Sequence, residues 1–219
     1  MKVNSAKINR AARRRKQGFT LIEMIGVLAV IAILAAVLIP KVFEAINNSR
    51  INNSAMTCNT AKTALVDHYA KYGGIPVDGT ANPPTVITNL PVEQFDLKLL
   101  GEGFLDKPFA VKIGEGTSDA THARVRVFDI SGTGTNAVDG TASTGFALSG
   151  TSTQNEAAGS VCAEAVITGV TASDAKDLND RIDGPALGAA LNAADLKGRV
   201  KFAAPVGGTT TVYVYLTHR

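Results

Sequence analysis

The 219-residue sequence contains no tryptophan, only two cysteines and only three histidines, and these scarcities exclude most catalytic and metal-binding classes. Cys58 and Cys162 are too far apart to form a zinc knuckle or a CxxC redox motif. In an oxidising compartment two such residues can bridge and close a long loop; the alternative is two buried thiols that pack like small apolar residues. His68, His122 and His218 are scattered, and no serine or cysteine nucleophile motif accompanies them. Lone histidines on an amphipathic helix or a strand read as structural. Gly132 and Gly134 fall in a threonine-rich loop, without the strand-to-helix context that a phosphate cradle needs. Nothing in the chain supports an enzyme.

Acidic residues are absent from the first 18 positions, which hold seven basic ones: Lys2, Lys7, Arg10, Arg13, Arg14, Arg15 and Lys16. Of 22 basic residues in all, these seven account for the net charge of +3; without them 15 remain against 19 acidic residues, about −4. A nucleic-acid-binding protein would keep a basic patch to neutralise phosphates, so no nucleic-acid partner is expected. The cluster reads instead as a topology signal, because lysine and arginine beside a membrane segment tend to stay cytoplasmic. Everything beyond Ile39 would then face the periplasm or the outside.

The apolar run that follows, residues 19–39, holds one ionisable group, Glu23. At ~1.5 Å per residue it is long enough to span a hydrocarbon core. A carboxylate there costs roughly 2.5–3.5 kcal/mol at a membrane centre and less near an end, a cost that usually marks a partner. An amine ~4 Å away at an effective dielectric of 20 would return about 4 kcal/mol. Pro40 predicts a kink or local melting, and Gly26 a second weak point where helices can approach closely. A plain signal anchor is the rival reading, and Glu23 argues against it. An ordinary secretory signal is cut after its apolar stretch; here the small residue, Gly18, comes before it.

Gly18-Phe19-Thr20-Leu21-Ile22-Glu23, set between a basic leader and an apolar run, resembles the class III signal of type IV pilins and of the pseudopilins of type II secretion. The resemblance implies cleavage after Gly18 by a prepilin peptidase and N-methylation of Phe19. It makes Glu23, with Thr20 and Pro40, the residues of assembly, Glu23 meeting the new amine of a neighbouring subunit. Implied partners are further copies of the chain, an inner-membrane assembly platform and minor pilins or pseudopilins. The implied location is the inner membrane, as a single-pass prepilin with a cytoplasmic N-terminus, and then a periplasmic or cell-surface filament. Pilins often carry one disulfide near the C-terminus, although a partner on the N-terminal helix, as Cys58 would be, is not the commonest arrangement.

Residues 41–72 continue as helix, with Ile51, Ala55, Cys58, Ala61, Leu65, Tyr69 and Tyr72 in one apolar stripe and Asn48, Asn52, Asn53, Asn59 and Lys62 opposite. Asparagine is a weak helix former, so this stretch needs tertiary packing. Gly73-Gly74-Ile75-Pro76 ends the helix, and "ALVDHYAKYGGIP" resembles the pseudopilin helix end. A helix from Phe19 to Tyr72 would be about 80 Å long. Residues 78–86 read as a loop, and 90–109 as apolar residues alternating with turns, within which "LLGEGFLDKPF" resembles secretion pseudopilins. "HARVRVFDI" reads as a half-buried strand, 131–155 as a Gly/Thr/Ser-rich surface loop in which "GFALSG" could form a short strand, and 159–170 as strand or helix. Residues 173–183 read as a short helix, and 199–203 and 210–216 as strands joined by Pro205-Val206-Gly207-Gly208.

The expected fold is therefore α+β and type IV pilin-like, a long N-terminal helix packed on a small antiparallel sheet. Its expected divisions are a removed leader (1–18), a membrane and filament-core helix (19–40), a periplasmic helix (41–76) and a globular head (77–219). Asp174, Asp177, Asp180 and Asp183 recur every three residues, a spacing unlike an EF-hand, and read as a solvated acidic face. Major secretion pseudopilins bind calcium and tend to carry a DPWG-type turn, which this chain lacks, so calcium stays a weak alternative and no cofactor is expected. Of the filament types, the long Thr/Gly/Ser loop and the missing turn favour a pilus subunit. The helix-end and "LLGEGFLDKPF" similarities favour a secretion pseudopilin. A signal-anchored binding domain is the reading of another class.

Overall fold

A computed structural model describes residues 18–75, 94–114, 122–130, 145–151, 153 and 155–219. The basic leader (1–17), Pro76, the loop 78–86 and most of the Gly/Thr/Ser-rich stretch (131–144) lie outside the described residues. The chain divides into two compact units, Met1–Ala45 and Ile46–Arg219. Helix α1, Leu21–Tyr72, is assigned without interruption. The local melting expected at Pro40 is not seen, since proline withdraws only its own N–H from the ladder. In the first unit the apolar side chains of α1 are exposed all round, as at Leu28, Leu34 and Leu38.

The second unit is an antiparallel sheet with three helical elements. Helix α2 is Phe95–Gly101, strand β1 Ala123–Asp129, β2 Val161–Thr171, helix α3 Ala172–Ile182, β3 Val200–Phe202 and β4 Thr209–His218. The sheet order is β1-β2-β4-β3. Register sets Val125 opposite Ala165, Val166 opposite Tyr213 and Val200 opposite Val214. The β3–β4 connection turns at Gly207 and Gly208, both at positive φ, between the bridged pair Val206 and Thr209, as a tight hairpin requires.

Because side chains alternate along each strand, the sheet has two distinct faces. Val125, Val127, Ala163, Ala165, Ile167, Val212, Val214 and Leu216 form one core with Ile51, Cys58, Ala61 and Leu65 of α1. The opposite face carries Phe128, Cys162, Val166 and Tyr213 with Phe146 and Ile130. The predicted stripe on α1 is present, and it also buries Ser54, Ala64 and His68. His68 is fully buried among the rings of Tyr72, Phe95 and Phe104, with Nε2 3.0 Å from Glu102 Oε2. His122 meets the backbone oxygen of Ile113 and His218 the hydroxyl of Tyr215, so all three histidines serve the fold.

Several expectations change. Residues 95–101 form a helix, which the alternation of apolar residues and turns concealed; Phe95 and Leu99, one turn apart, are its buried face. Of the two readings left open for 159–170, the strand is the one found, as Val161–Thr171. "GFALSG" is not a strand: Lys201 Nζ donates to the oxygen of Gly145, and the Phe146 N–H donates to Glu156 Oε2. These side chains, with single backbone bonds from Asn155 to Phe146 and from Gly198 to Ala147, hold that backbone in place of a ladder. "HARVRVFDI" is buried on both faces, since the outward Arg126 lies against Glu164, its Nε donating to Oε1 at 2.9 Å. Arg126 also stacks over the rings of Phe128 and Tyr213.

The cysteine bridge is also corrected. Both thiols are free. Cys58 lies in the core between α1 and the sheet, whereas Cys162 sits on the sheet's other face, so the strand itself separates them. Burial pushes the Cys58 thiol up to about 12 and the Cys162 thiol well above its ordinary value, which leaves both unreactive while folded.

Two outcomes are expected. Denatured, non-reduced protein should take up two maleimides per chain and native protein none, read by mass spectrometry; a chain that gains both adducts only after reduction would contradict the sheet geometry. Glu164→Ala strips the buried Arg126 guanidinium of its carboxylate and should cost about 3–5 kcal/mol in a denaturant titration of the full chain, with Glu164→Gln costing less.

Candidate functional site

The described residues of the first unit begin with Gly18, Phe19 and Thr20, all exposed, ahead of α1 at Leu21. A helix start leaves several N–H groups without internal partners, and a Thr-x-x-Glu sequence can satisfy two of them reciprocally. Thr20 and Glu23 do this. The Thr20 N–H and hydroxyl each donate to Glu23 Oε2 at 2.7 Å, and the Glu23 N–H donates to the Thr20 hydroxyl at 3.3 Å. The Met24 N–H donates to the Thr20 carbonyl and closes the first turn. A carboxylate in the first turn also lies at the favourable end of the helix dipole.

This arrangement refines the sequence-based expectation. The resemblance assigns the Glu23 carboxylate to the amine of a neighbouring subunit. In the structure it is partnered within its own chain, and Thr20, one of the expected assembly residues, supplies the partner. The spacing Thr20-Leu21-Ile22-Glu23 carried that signal in the sequence. Both bonds fall on Oε2, so the carboxylate is held in orientation without exhausting its acceptor capacity.

Among the described residues nothing requires a glycine at position 18. A Cβ built there meets nothing within 4 Å, and its φ is not positive. Gly26 is equally open, in keeping with a place where another helix can approach. Pro40 sits on the same helix, far along it from Glu23, with no contact that joins the two. The stretch around Gly26 is long and apolar enough to cross a membrane by length and composition.

The four aspartates do not converge. Asp174 opens α3, whose N-cap is Thr171, and is buried. Asp177 accepts from the Asn47 amide at 3.4 Å, and Asp180 pairs with Lys176 at 2.5 Å. Asp183 accepts from the N–H groups of Arg199 and Val200 and from Arg199 Nε, which ties the end of α3 to β3. That carboxylate leaves no room for a side chain at Gly198, where a Cβ would lie 2.4 Å away at a φ of +80°. Among the described residues no group of three or more His, Cys, Asp or Glu side chains could hold a metal ion.

One comparison with known proteins falls on the same N-terminal segment. Residues 13–39 match the family described as the prokaryotic N-terminal methylation motif. The chain is 30% identical over 87 residues to a type IV major pilin protein PilE1 of Neisseria gonorrhoeae, covering 38% of this chain and 53% of that one. It is 30% identical over 66 residues to a fimbrial protein of Neisseria meningitidis serogroup A, covering 30% and 39% respectively. The chain thus spans about half the length, or less, of the curated relatives it matches. No solved structure matches it. The relatives are structural proteins rather than enzymes, and the motif at residues 13–39 heads a long apolar helix whose later part packs on a four-stranded antiparallel sheet. By motif, helix and sheet the chain is similar to the type IV pilins.

Proposed function

We propose that the chain is cut between Gly18 and Phe19, N-methylated at Phe19, and assembled with other copies into a membrane-rooted helical filament. The observation that carries this reading is the head of α1, where an oriented carboxylate tops a stretch, residues 21–39, whose large apolar side chains are exposed. Such a surface needs lipid or other helices around it. Before assembly the membrane receives residues 19–40 and the basic leader stays on the cytoplasmic side. On cleavage the new amine at Phe19 of one copy meets the Glu23 carboxylate of another. Oε2 is already bonded to Thr20, and Oε1 is the oxygen open to that amine.

Gly18 supports the processing step from an independent direction. Packing among the described residues does not require a glycine there, and a peptidase that binds the chain closely would. Of the two filament types a pilus is favoured, because the relatives at 30% identity bear the names of major pilin and fimbrial proteins. A secretion pseudopilin is the second reading, supported by the likeness of "LLGEGFLDKPF", which forms the end of α2 and the turn after it. Fibres visible on the cell surface at normal expression would decide for the pilus.

Mass spectrometry of the mature protein should find N-methylated Phe19 as its first residue. A retained leader, or a cut after Ile39, would refute the processing step. Glu23→Ala should leave the amount of processed subunit in the membrane unchanged or higher, while filament counts by electron microscopy fall to background. Glu23→Gln keeps the hydrogen bonds of the first turn but not the charge, and should assemble poorly. Normal filaments from Glu23→Ala would reduce α1 to a simple anchor.

A further inference from the structure

The last turns of α1 meet α2 around one imidazole. Residue 68 follows Leu65 by three positions on the buried stripe, so its side chain is directed into the head. The His68 ring is fully buried. Its walls come from three places: Tyr72 on the next turn of α1, at 4.8 Å between ring centroids, Phe95 of α2 at 5.4 Å, and Phe104 of the turn after α2 at 5.5 Å. That turn is tied back to α2, since the Phe104 and Leu105 N–H groups both donate to the Leu99 carbonyl. Phe95 and Phe104 thus meet the ring as one piece.

A neutral imidazole suits a box of aromatic rings, whereas an imidazolium in the same place loses its hydration. The charged groups at the rim pull in both directions. Glu102 Oε2, 3.0 Å from Nε2, favours a proton on the ring, as does the nearby Gly74 backbone. Lys98, itself 3.9 Å from Glu102, and Lys71 disfavour one. The Lys71 ammonium is kept beside the cluster, 5.0 Å from the Tyr72 ring centroid and 5.2 Å from that of Phe104. Burial outweighs the rest and holds the imidazole below its ordinary value of 6.5.

We propose that His68 is an acid-sensitive latch in the head: its neutral ring holds α2 and the turn at Phe104 against the end of α1, and a proton on it releases them. Histidine is the side chain whose ordinary charge change falls between about pH 5 and 8. In the released state the ring is hydrated and titrates at its ordinary value, so below about pH 6.5 that state binds more protons than the closed one. Closure is therefore fully favoured above that pH and weakens as pH falls from there toward the folded value. Asp96, the buried carboxylate of α2, acts in the opposite sense. It accepts the Val125 N–H at 3.0 Å, and burial raises it above its ordinary value, so acid favours its closed form. Loosening in acid accordingly belongs to His68. The latch lies within the second unit and stands whether or not the chain forms filaments.

Hydrogen exchange on the whole chain in detergent tests it, with protection expressed against the intrinsic rate at each pH. Protection of residues 95–104 should fall between about pH 7.5 and about pH 5.5, by at most about tenfold per pH unit for one proton, while β2 and β4 stay level. The His68 resonance should titrate with a midpoint below its ordinary value. His68→Leu should abolish the loss. Lys98→Met should shrink it and Glu102→Gln enlarge it, because they move the folded value up and down respectively; this pair keeps the ring in place and decides the matter should His68→Leu not fold. Unchanged or rising protection in the unaltered chain, a loss that persists in His68→Leu, or the opposite order of the two rim variants would each overturn the latch. An equal loss across β2 and β4 would mean that acid weakens the head as a whole, and would overturn it too.

Discussion

A single uninterrupted helix carries two unlike surfaces, and most of the chain's organisation answers to that. Over residues 21–39 α1 is apolar on every side, so the hydrophobic effect cannot orient it in lipid. Only a polar group can give such a segment a direction, and Glu23 is the one ionisable group it has. From Ile51 onward the same helix is striped. Small and medium side chains at Ile51, Ser54, Cys58 and Ala61 are buried, while Asn53, Asn59 and Lys62 stay exposed. Asparagine contributes little to helix stability, so this part holds its form through the packing of the stripe.

The sheet meets that requirement by being buried on both faces. Ala123, Ala163 and Ala165 on the α1 side are small and keep the sheet close to the helix core. The other face is less usual, because Arg126, Glu164, Lys201 and Glu156 are all buried there beside Phe146 and Tyr213. Charges in such a place are costly unless they are partnered. Lys201 and Glu156 spend part of their bonding on the backbone of Gly145 and Phe146. The outer face of the sheet therefore holds in place the described end of the Gly/Thr/Ser-rich stretch.

Where periodicity was long, the sequence was readable. The helix through residue 72, its end at Gly73, α3 and the strands at 123–129, 200–202 and 209–218 follow from apolar spacing and breaker residues. Helix α2 did not, because seven residues give only two buried apolar positions a turn apart. The outward arginines of "HARVRVFDI" looked like a solvated face, and nothing local could reveal that Glu164, 38 residues on, would bury Arg126. The cysteines failed for a related reason. Distance along the chain permits a bridge, but strand parity decides which face Cys162 occupies, and parity depends on a register that only the folded sheet defines. At the N-terminus the Thr-x-x-Glu spacing was legible all along.

These residues differ in what their identity answers to. Gly198 must be glycine because Asp183 fills the space beside it, and Asp183 must be acidic because Arg199 and Val200 donate to it. Such constraints close within the chain. Gly18 has open space around it, and Phe19 and the apolar side chains after it are exposed. Glu23 is oriented by Thr20 while one of its oxygens keeps capacity to spare. Each of these leaves a requirement that one copy of the chain does not meet. They are contiguous in sequence, at the head of one helix, and they coincide with the segment that matches the methylation motif. A fold can tolerate scattered residues it does not use, but a run of them with one carboxylate held at its head is the surface that the proposed assembly would use.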